Sequence, residues 1–570
     1  MAKQNQLNRR NLMKGAAAIF GGAAASSLLP DGLLPDELTA SAAATVNGCD
    51  TTVAAGDSKA IVETTAGKVR GYVRNGIHTF KGIPYAATTA GEARFQPPTK
   101  AKPWAGVRSS MQYGFLCPQQ PRTGWGNDEV AWMFDWDDGR PGEDCLLVNV
   151  WTPGVNDNKK RPVMVWIHGG GFTAGSGQEL KSYDGENLSK RGDVVVVSLN
   201  HRLGVLGFLN LAEFGERYAK SGNVGQLDLV AALEWVRDNI GNFGGDAGNV
   251  TIFGQSGGGA KVSTLMAMPA AKGLFHKAIV QSGSSLRQVP LESSAKLTAA
   301  VLAELGLSGS QIDQLHKIPA EKLIEAGLMA VQKNTPNPPP PPGSGGNRIG
   351  WGPVVEGKVL PAHAFDPGAP AMSANIPMLI GTTINEFTTA MGNPALEALT
   401  EAELKSRVTA THGAKAEKLI EAFRRAHPKA KPIDILSFVA TTSATRQNAI
   451  TQATRKAAQN AAPAFLYLFA WQTPVLDGRP RAFHCAELPF VFDNTDRCAS
   501  MTGGGAEARA LGAKVSDAWI AFARKGDPNH SGLPKWPAFT PDKVPTMIFD
   551  NKCEVANDPD SEARRILTAA

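Results

Sequence analysis

Hydrophobic residues occur along the chain in short runs that are rich in β-branched side chains. Runs of this length with almost no polar residue are typical of strands that are buried on both faces, as in a parallel sheet. The pattern predicts such strands at residues 163–167, 194–199, 250–253, 278–281, 378–380, 465–469 and 547–549.

Segments with helical periodicity lie between these runs. In 229–240 and in 511–522, apolar residues recur every three or four positions, which places one apolar stripe on each predicted helix. Gly526, Asp527 and Pro528 follow the second stripe and predict that its helix ends there. The alternation of strands and helices predicts an α/β fold with a large, mostly parallel central sheet flanked by helices.

The first 44 residues differ in composition from the rest of the chain. Arg9 and Arg10 precede the apolar run 15–29, and this order of a basic and then an apolar segment is typical of an export signal. The paired arginines resemble a twin-arginine leader. We expect a signal at 1–44, cleaved after Ala44 or after Ala25, and one folded domain at 45–570 that is periplasmic or extracellular.

Composition and charge exclude several classes of protein. The 570 residues include 60 glycines and 38 prolines without a three-residue repeat, which excludes collagen. The net charge is +6, but Lys and Arg form no block of five, so we expect no nucleic-acid partner. No second apolar stretch approaches the ~20 residues of a membrane span. Neither C-x-x-C nor H-E-x-x-H occurs, which disfavours zinc sites.

A segment rich in Pro and Gly lies near the middle of the chain, at 334–350. It contains five consecutive prolines, 338–342, which favour a polyproline II conformation, and then several glycines. It is either a linker between two domains or a loop within one. Because strands and helices alternate in the same way on both sides, we interpret it as a loop within a single domain.

Ser256 lies in Gly254-Gln255-Ser256-Gly257-Gly258, which fits the pattern G-x-S-x-G. The predicted strand 250–253 runs into this motif, and a segment of small residues with helical character follows it. A nucleophilic serine in a strained turn between a strand and a helix needs small neighbours, and the helix N-terminus favours developing negative charge. The motif therefore predicts Ser256 as a nucleophile, with an ordinary Gly-rich turn as the alternative.

A second glycine motif, His168-Gly169-Gly170-Gly171, directly follows the predicted strand 163–167. Consecutive glycines allow backbone N–H groups to approach a ligand closely. We expect the N–H groups of Gly170, Gly171 and Gly257 to form an oxyanion hole, which binds the negative oxygen of a tetrahedral intermediate. A tight structural turn is the alternative.

Further segments make the chain similar to the type-B carboxylesterases, the α/β-hydrolases that include the cholinesterases. The resemblance covers about residues 60–555, and bacterial members called para-nitrobenzyl esterases look most alike. It is carried by FKGIPY at 80–85, EDCLLVNV at 143–150, NHRLGVLGF at 200–208, NFGGD at 242–246 and the serine motif.

The resemblance implies the α/β-hydrolase fold and a catalytic triad in the chain order Ser, Glu, His. It nominates Glu386, which the family follows with a glycine where this chain has Phe387, and His484. His484 also follows a late apolar run, as that chain order requires. His168 is the competing base, and Glu487 is the competing carboxylate.

Two further assignments come from the same resemblance. Ser282 matches a family serine that supports the triad carboxylate, with an ordinary strand-end serine as the alternative. Cys117 and Cys145 match a family disulfide that closes the loop 117–145 beside the active-site entrance. Two other disulfides stay open as possibilities, Cys485 with Cys498 and Cys49 with Cys553.

The implied function is hydrolysis of small-molecule carboxylic esters through an acyl-enzyme, without a metal or organic cofactor. The first alternative is an esterase, amidase or lactonase dedicated to one natural product or xenobiotic. A less favoured one is a catalytically silent binding protein of the same fold. Gln255 stands where cholinesterases have an acidic residue, which argues against choline esters. Because 334–350 precedes the family's acyl-pocket segment at Trp351, we expect this loop to border the substrate entrance.

Overall fold

The computed structural model describes residues 60–121, 126–335 and 350–569. Its strands are β1 (Ile61–Thr64), β2 (Gly67–Arg70), β3 (Tyr72–Arg74), β4 (Ile77–Pro84), β5 (Val107–Ser109), β6 (Leu147–Thr152), β7 (Arg161–Ile167), β8 (Val195–Leu199), β9 (Gly245–Gln255), β10 (Lys277–Gln281), β11 (Val289–Pro290), β12 (Val354–Val355), β13 (Met378–Thr383), β14 (Ala464–Phe469), β15 (Pro545–Phe549) and β16 (Glu554–Asn557).

The α-helices connect these strands and cover the sheet. They are α1 (Asp128–Phe134), α2 (Glu186–Gly192), α3 (Gly204–Phe208), α4 (Val224–Asn239), α5 (Gly257–Leu265), α6 (Leu291–Glu304), α7 (Ala320–Asn334), α8 (Glu401–His412), α9 (Ala416–Ala426), α10 (Pro432–Thr441), α11 (Gln447–Ala457), α12 (Leu488–Val491), α13 (Ala499–Thr502), α14 (Ala506–Lys525) and α15 (Ser561–Thr568).

A mixed sheet of eleven strands runs through the described part of the chain in the order β16-β15-β14-β13-β10-β9-β7-β8-β6-β4-β3. The strands from β15 to β8 in this order are all parallel, whereas β16 at one side and β6, β4 and β3 at the other pair antiparallel. These seven parallel strands are the seven that the apolar runs predict. The predicted α/β class with a mostly parallel central sheet is confirmed.

The two faces of the sheet bury separate hydrophobic cores, because side chains alternate between faces along a strand. In β7, Val165 packs into one core with Leu233 of α4, and the next residue, Trp166, packs into the other with Trp519 of α14. Both helices were predicted from their apolar stripes. Helix α14 ends as predicted at Gly526, whose φ of +75° is easily adopted by glycine.

The segment 334–350 does not divide the sheet. β10, which precedes it in the chain, pairs in parallel register with β13, which follows it. Most of this segment, and the whole of the predicted export signal 1–44, lies outside the described residues. In the part of the chain that is described, no helix is long and apolar enough to cross a membrane.

Candidate active site

Ser256 occupies the turn between the end of β9 and the start of α5, with φ +57° and ψ −124°. A positive φ is costly for a residue with a side chain, so the surrounding structure has to hold this turn in place. The Ser256 N–H donates to Gln281 O in β10 at 2.8 Å. The small neighbours are also required, because a Cβ on Gly258 would lie 2.0 Å from Ile167 O. The local geometry is that of the predicted nucleophile turn.

The glycine loop, residues 168–171, lies against this turn. Gly170 and Gly171 have φ values of +79° and +62°. An added Cβ on Gly257 would lie 2.3 to 2.4 Å from backbone atoms of Gly171, so the two main chains are in contact. Gly170 O accepts hydrogen bonds from the N–H groups of Thr173 and Ala174, at 3.3 and 3.1 Å. The structure thus brings the three predicted oxyanion-hole glycines together beside Ser256.

Glu386 and His484 are also in contact, although 98 residues separate them in the chain. His484 Nδ1 lies 2.5 Å from Glu386 Oε2, and the Glu386 residue is only 3% exposed. A second link joins their backbones, where His484 N–H donates to Glu386 O at 2.7 Å. Because an ionised carboxylate only accepts hydrogen bonds, this contact places the proton on Nδ1 and leaves Nε2 as the basic nitrogen.

Glu386 is held, at its side chain and at its backbone, by two residues that the sequence did not indicate. Thr383 N–H donates to Glu386 Oε1 at 3.1 Å, and Glu386 N–H donates to Thr441 Oγ1 at 3.1 Å. The predicted support from Ser282 is not formed. Its backbone, at φ +48°, donates instead to Gly381 O at 2.7 Å, and its hydroxyl is buried without a hydrogen-bond partner among the described residues.

Two side chains surround the His484 ring. The Gln255 amide nitrogen lies 3.2 Å from His484 Nε2, and the Phe387 ring packs on the imidazole with 4.1 Å between ring centroids. Within the described residues, no hydrogen bond joins Ser256 to His484. Proton transfer requires Nε2 to accept from Ser256 Oγ, and catalytic hydrogen bonds often tighten only when the substrate is bound.

The two competing residues have other surroundings. His168, the first residue of the glycine loop, is buried, and its ring stacks on His201 with 4.9 Å between centroids. Glu487 is buried behind the triad and accepts a hydrogen bond from Gln281 Nε2 at 3.2 Å. Burial, reinforced by the charge of Glu386, raises the pKa of Glu487 to about 7. Neither residue contacts His484 in the way that Glu386 does.

No disulfide joins any of the cysteines among the described residues. Cys117 and Cys145 are buried next to each other, and a hydrogen bond between them, with burial, raises the pKa of Cys145. The predicted 117–145 disulfide is therefore not formed in this structure, and its formation stays a prediction. Cys485 donates to Gln255 Oε1 at 3.3 Å, so it is not bonded to Cys498. Cys49 lies outside the described residues.

A cavity of about 240 Å³ lies beyond the glycine loop. Its lining includes Thr173 and Ala174, which follow the loop, together with Gly327 of α7 and Trp351. Trp351 directly follows the 334–350 segment in the chain, so the end of this segment, at Gly350, adjoins a residue that lines the cavity. A second cavity, of about 510 Å³, lies beside Glu386 and Phe387. No cluster of three or more metal-ligating side chains is found in the described parts of the chain.

Comparisons with known proteins give matches over most of the chain. The sequence profile of the Carboxylesterase family matches residues 58–566. The chain is 38% identical to the para-nitrobenzyl esterase of Bacillus subtilis (strain 168) over 89% of this chain and 98% of that protein. It is 33% identical to the phenmedipham hydrolase of Pseudarthrobacter oxydans over 90% of this chain and 100% of that protein. A solved esterase from Clostridium hathewayi has a TM-score of 0.76 and 38% identity, covering 90% of this chain and 98% of that one.

Proposed function

The chain belongs to the carboxylesterase family, and from this premise we propose that Ser256, His484 and Glu386 form the catalytic triad with which it hydrolyses carboxylic esters. The 2.5 Å contact between His484 Nδ1 and Glu386 Oε2 beside the strained Ser256 turn carries this proposal. A nucleophile, a base and a group that orients the base are the three parts that acyl transfer needs.

The reaction proceeds in two steps. His484 Nε2 takes the Ser256 Oγ proton while the oxygen attacks the ester carbonyl, and Glu386 stabilises the imidazolium that forms. The negative oxygen of the tetrahedral intermediate accepts hydrogen bonds from the N–H groups of Gly170, Gly171 and Gly257. The intermediate collapses to an acyl-enzyme and expels the alcohol, which receives the proton from His484. Water then attacks the acyl-enzyme by the same route and releases the acid.

A series of p-nitrophenyl esters, measured with wild type and Ser256→Ala, tests this proposal. We expect Ser256→Ala to lose at least 10³-fold in kcat, because removing a triad member leaves only the catalysis due to binding and the oxyanion hole. Ser285→Ala is a matched control, since this half-buried hydroxyl donates to Arg287 O and accepts from Gln288 Nε2 and has no bond to the triad among the described residues. Equal turnover by Ser256→Ala and wild type rules out Ser256 as the nucleophile.

A second candidate function is that of an enzyme dedicated to one xenobiotic or natural-product ester, amide or lactone. This candidate is supported by a relative of full-length similarity that is named for phenmedipham. Fold and triad set the chemistry, whereas the pocket selects the substrate. A panel of simple esters, carbamates, amides and lactones separates the two. Comparable kcat/KM values across simple esters support a broad esterase, and one value far above the rest supports a dedicated enzyme.

We also propose that the protein is exported and that its 117–145 loop is closed by a disulfide. Export rests on the Arg9-Arg10 signal, and the disulfide rests on the adjacent thiols of Cys117 and Cys145. A loop of 28 residues gives about 3–4 kcal/mol of stabilisation by the chain-entropy argument. Alkylation of denatured exported protein before and after reduction, followed by mass spectrometry, tests the bond. Both cysteines labelled without reduction contradicts it.

A further inference from the structure

Lys261 is a charged residue that the mechanism above does not use. It lies on α5, the helix that follows Ser256, and the whole residue is buried. Its ammonium group donates a hydrogen bond to His168 O at 3.0 Å and lies 3.5 Å from Gly169 O. Both carbonyl groups belong to the glycine loop, so the ammonium contacts this loop on the side of its carbonyl oxygens.

The planar trans peptide links these carbonyl groups to the oxyanion hole. In each peptide unit the N–H points away from the C=O. The carbonyl of Gly169 shares a unit with the N–H of Gly170, so an ammonium at this oxygen directs that N–H to the opposite side. The next carbonyl, that of Gly170, is held by two N–H groups of the following turn, which directs the N–H of Gly171 in the same way.

The Lys261 contact adds to the few bonds that hold the carbonyl oxygens of this loop, in which Gly169 O also lies 3.0 Å from His168 Nδ1. Three consecutive glycines contribute no side chains to packing, and glycine has the greatest backbone freedom of all residues. The lysine is well anchored, since its own carbonyl accepts a hydrogen bond from Gln226 Nε2 of α4 at 3.0 Å. A charged donor also polarises the peptide group that it binds, which strengthens the opposite N–H as a donor.

The charge of Lys261 also affects the imidazole ring of His201, which lies near the loop. Burial, and then the nearby charge of Lys261, lowers the pKa of His201 well below its usual range. His201 is therefore neutral at pH 7 and stacks on the ring of His168, the first residue of the loop. The positive charge beside the loop carbonyls is therefore that of Lys261 and not that of His201.

We propose that Lys261 is a positioning residue for the oxyanion hole: its ammonium group holds the carbonyl oxygens of His168 and Gly169 and thereby orients the N–H of Gly170 toward the reacting carbonyl. The proposal rests on the proposed roles of Ser256 and the glycine loop. Removing one oxyanion-hole donor typically lowers kcat by 10²- to 10³-fold. Lys261 acts through one donor of three without removing it, so we expect about a 10- to 100-fold decrease.

The test compares Lys261→Met with Lys456→Met. Methionine has a similar length but no charge and no donor. Lys456 is a matched control because it is also buried and donates to two carbonyls, Ser373 O and Ala374 O, away from the proposed site. On p-nitrophenyl butyrate, we expect kcat to fall 10- to 100-fold for Lys261→Met with KM within about twofold. Lys456→Met should keep kcat within about twofold.

An inhibitor series separates a positioning role from a general structural one. A trifluoromethyl ketone adds Ser256 Oγ to its carbonyl carbon and leaves an oxyanion in the hole, whereas the corresponding alcohol forms none. In Lys261→Met, Ki for the ketone should rise about as much as kcat falls, and Ki for the alcohol should stay constant. Equal increases in both values, or an equal loss of kcat in Lys456→Met, overturn the proposal.

Two further variants, Lys261→Gln and Ser256→Ala, complete the test. If Lys261→Met does not fold, as judged by near-UV circular dichroism, Lys261→Gln replaces it, and a kcat within threefold of wild type overturns the proposal. Ser256→Ala is measured in parallel. If Ser256→Ala is inactive while Lys261→Met retains wild-type kcat, only the role of Lys261 is wrong. If Ser256→Ala retains wild-type activity, the proposed function itself is wrong.

Discussion

Replacement of Glu487 by Gln should change how the stability of the protein depends on pH. The Glu487 carboxyl group is fully buried behind Glu386 and is neutral over most of the acidic range. Burial is the larger cause and the charge of Glu386 the next, and together they raise its pKa from 4.5 to about 7. Glutamine has nearly the same shape and keeps a carbonyl oxygen for the hydrogen bond from Gln281 Nε2.

The size of the effect follows from proton linkage. Between pH 4.5 and about 7 the unfolded chain releases the Glu487 proton while the native protein keeps it, so stability falls as pH rises through this window. A shift of this size corresponds to about 3 kcal/mol lost by pH 8, at 1.36 kcal/mol for each pH unit. An unfolding entropy of about 2.1 cal/mol/K per residue converts this loss into roughly 2 to 3 °C in Tm for a chain of this length.

Thermal unfolding of both proteins from pH 4.5 to pH 8 measures this difference. The Tm of Glu487→Gln minus that of wild type should increase by roughly 2 to 3 °C across the range. Glu554→Gln, at an exposed position of the edge strand β16, should show no such trend and serves as the control. A Tm difference for Glu487→Gln that does not vary with pH refutes the argument that this carboxyl is neutral in the native protein at pH 6.

Two other predictions rest on single contacts, and a third rests on the position of the 334–350 segment in the chain. Gly258→Ala places a Cβ 2.0 Å from Ile167 O and should abolish activity or soluble expression, whereas Gly241→Ala, with no atom within 4 Å, should match wild type in both assays. Asp228→Asn leaves the buried Arg202, 2.7 Å away, without its ionic partner and should cost about 3–5 kcal/mol in urea unfolding, so a cost under about 1 kcal/mol contradicts this prediction. Exchanging residues 338–342 for Gly and Ser should change the relative rates on acetyl, butyryl and octanoyl esters, and unchanged relative rates contradict a role of this loop at the substrate entrance.

The parallel part of the sheet could be predicted from the sequence because strands that are buried on both faces consist almost entirely of apolar residues. Each of the seven central strands is an apolar run, and each was located within a few residues of its observed bounds, except that β9 begins earlier, at Gly245. Antiparallel β6 is also buried along its whole length, but its run at 147–151 was not predicted as a strand. The antiparallel edge strand β16 has no apolar run, since two of its four residues are exposed and the other two are half-buried. Strands of this kind form because a neighbouring strand offers a free edge, which a local pattern does not encode.

The site, like the sheet, has parts that a local sequence pattern predicts and parts that it does not. Ser256 and the glycine loop are local motifs, and their turn geometry follows from the small residues around them. The pairing of Glu386 with His484 is a tertiary contact that only the resemblance to a family indicated. Thr441 lies 55 residues from Glu386 and bonds to it through an ordinary hydroxyl, so no signal in the sequence singles it out. The Ser282 hydroxyl, which the resemblance assigned to the carboxylate, has no such contact.

The topology explains how distant segments build one site. The glycine loop follows β7, Ser256 follows β9 and Glu386 follows β13, and these strands are parallel. Because the carboxyl ends of parallel strands meet at one edge of the sheet, these groups converge whatever the length of chain between them. Four helices, α8 to α11, lie between Glu386 and His484 without disturbing the pair. The sheet thus fixes which groups meet, and buried polar contacts such as those of Thr383 and Lys261 set their exact orientation.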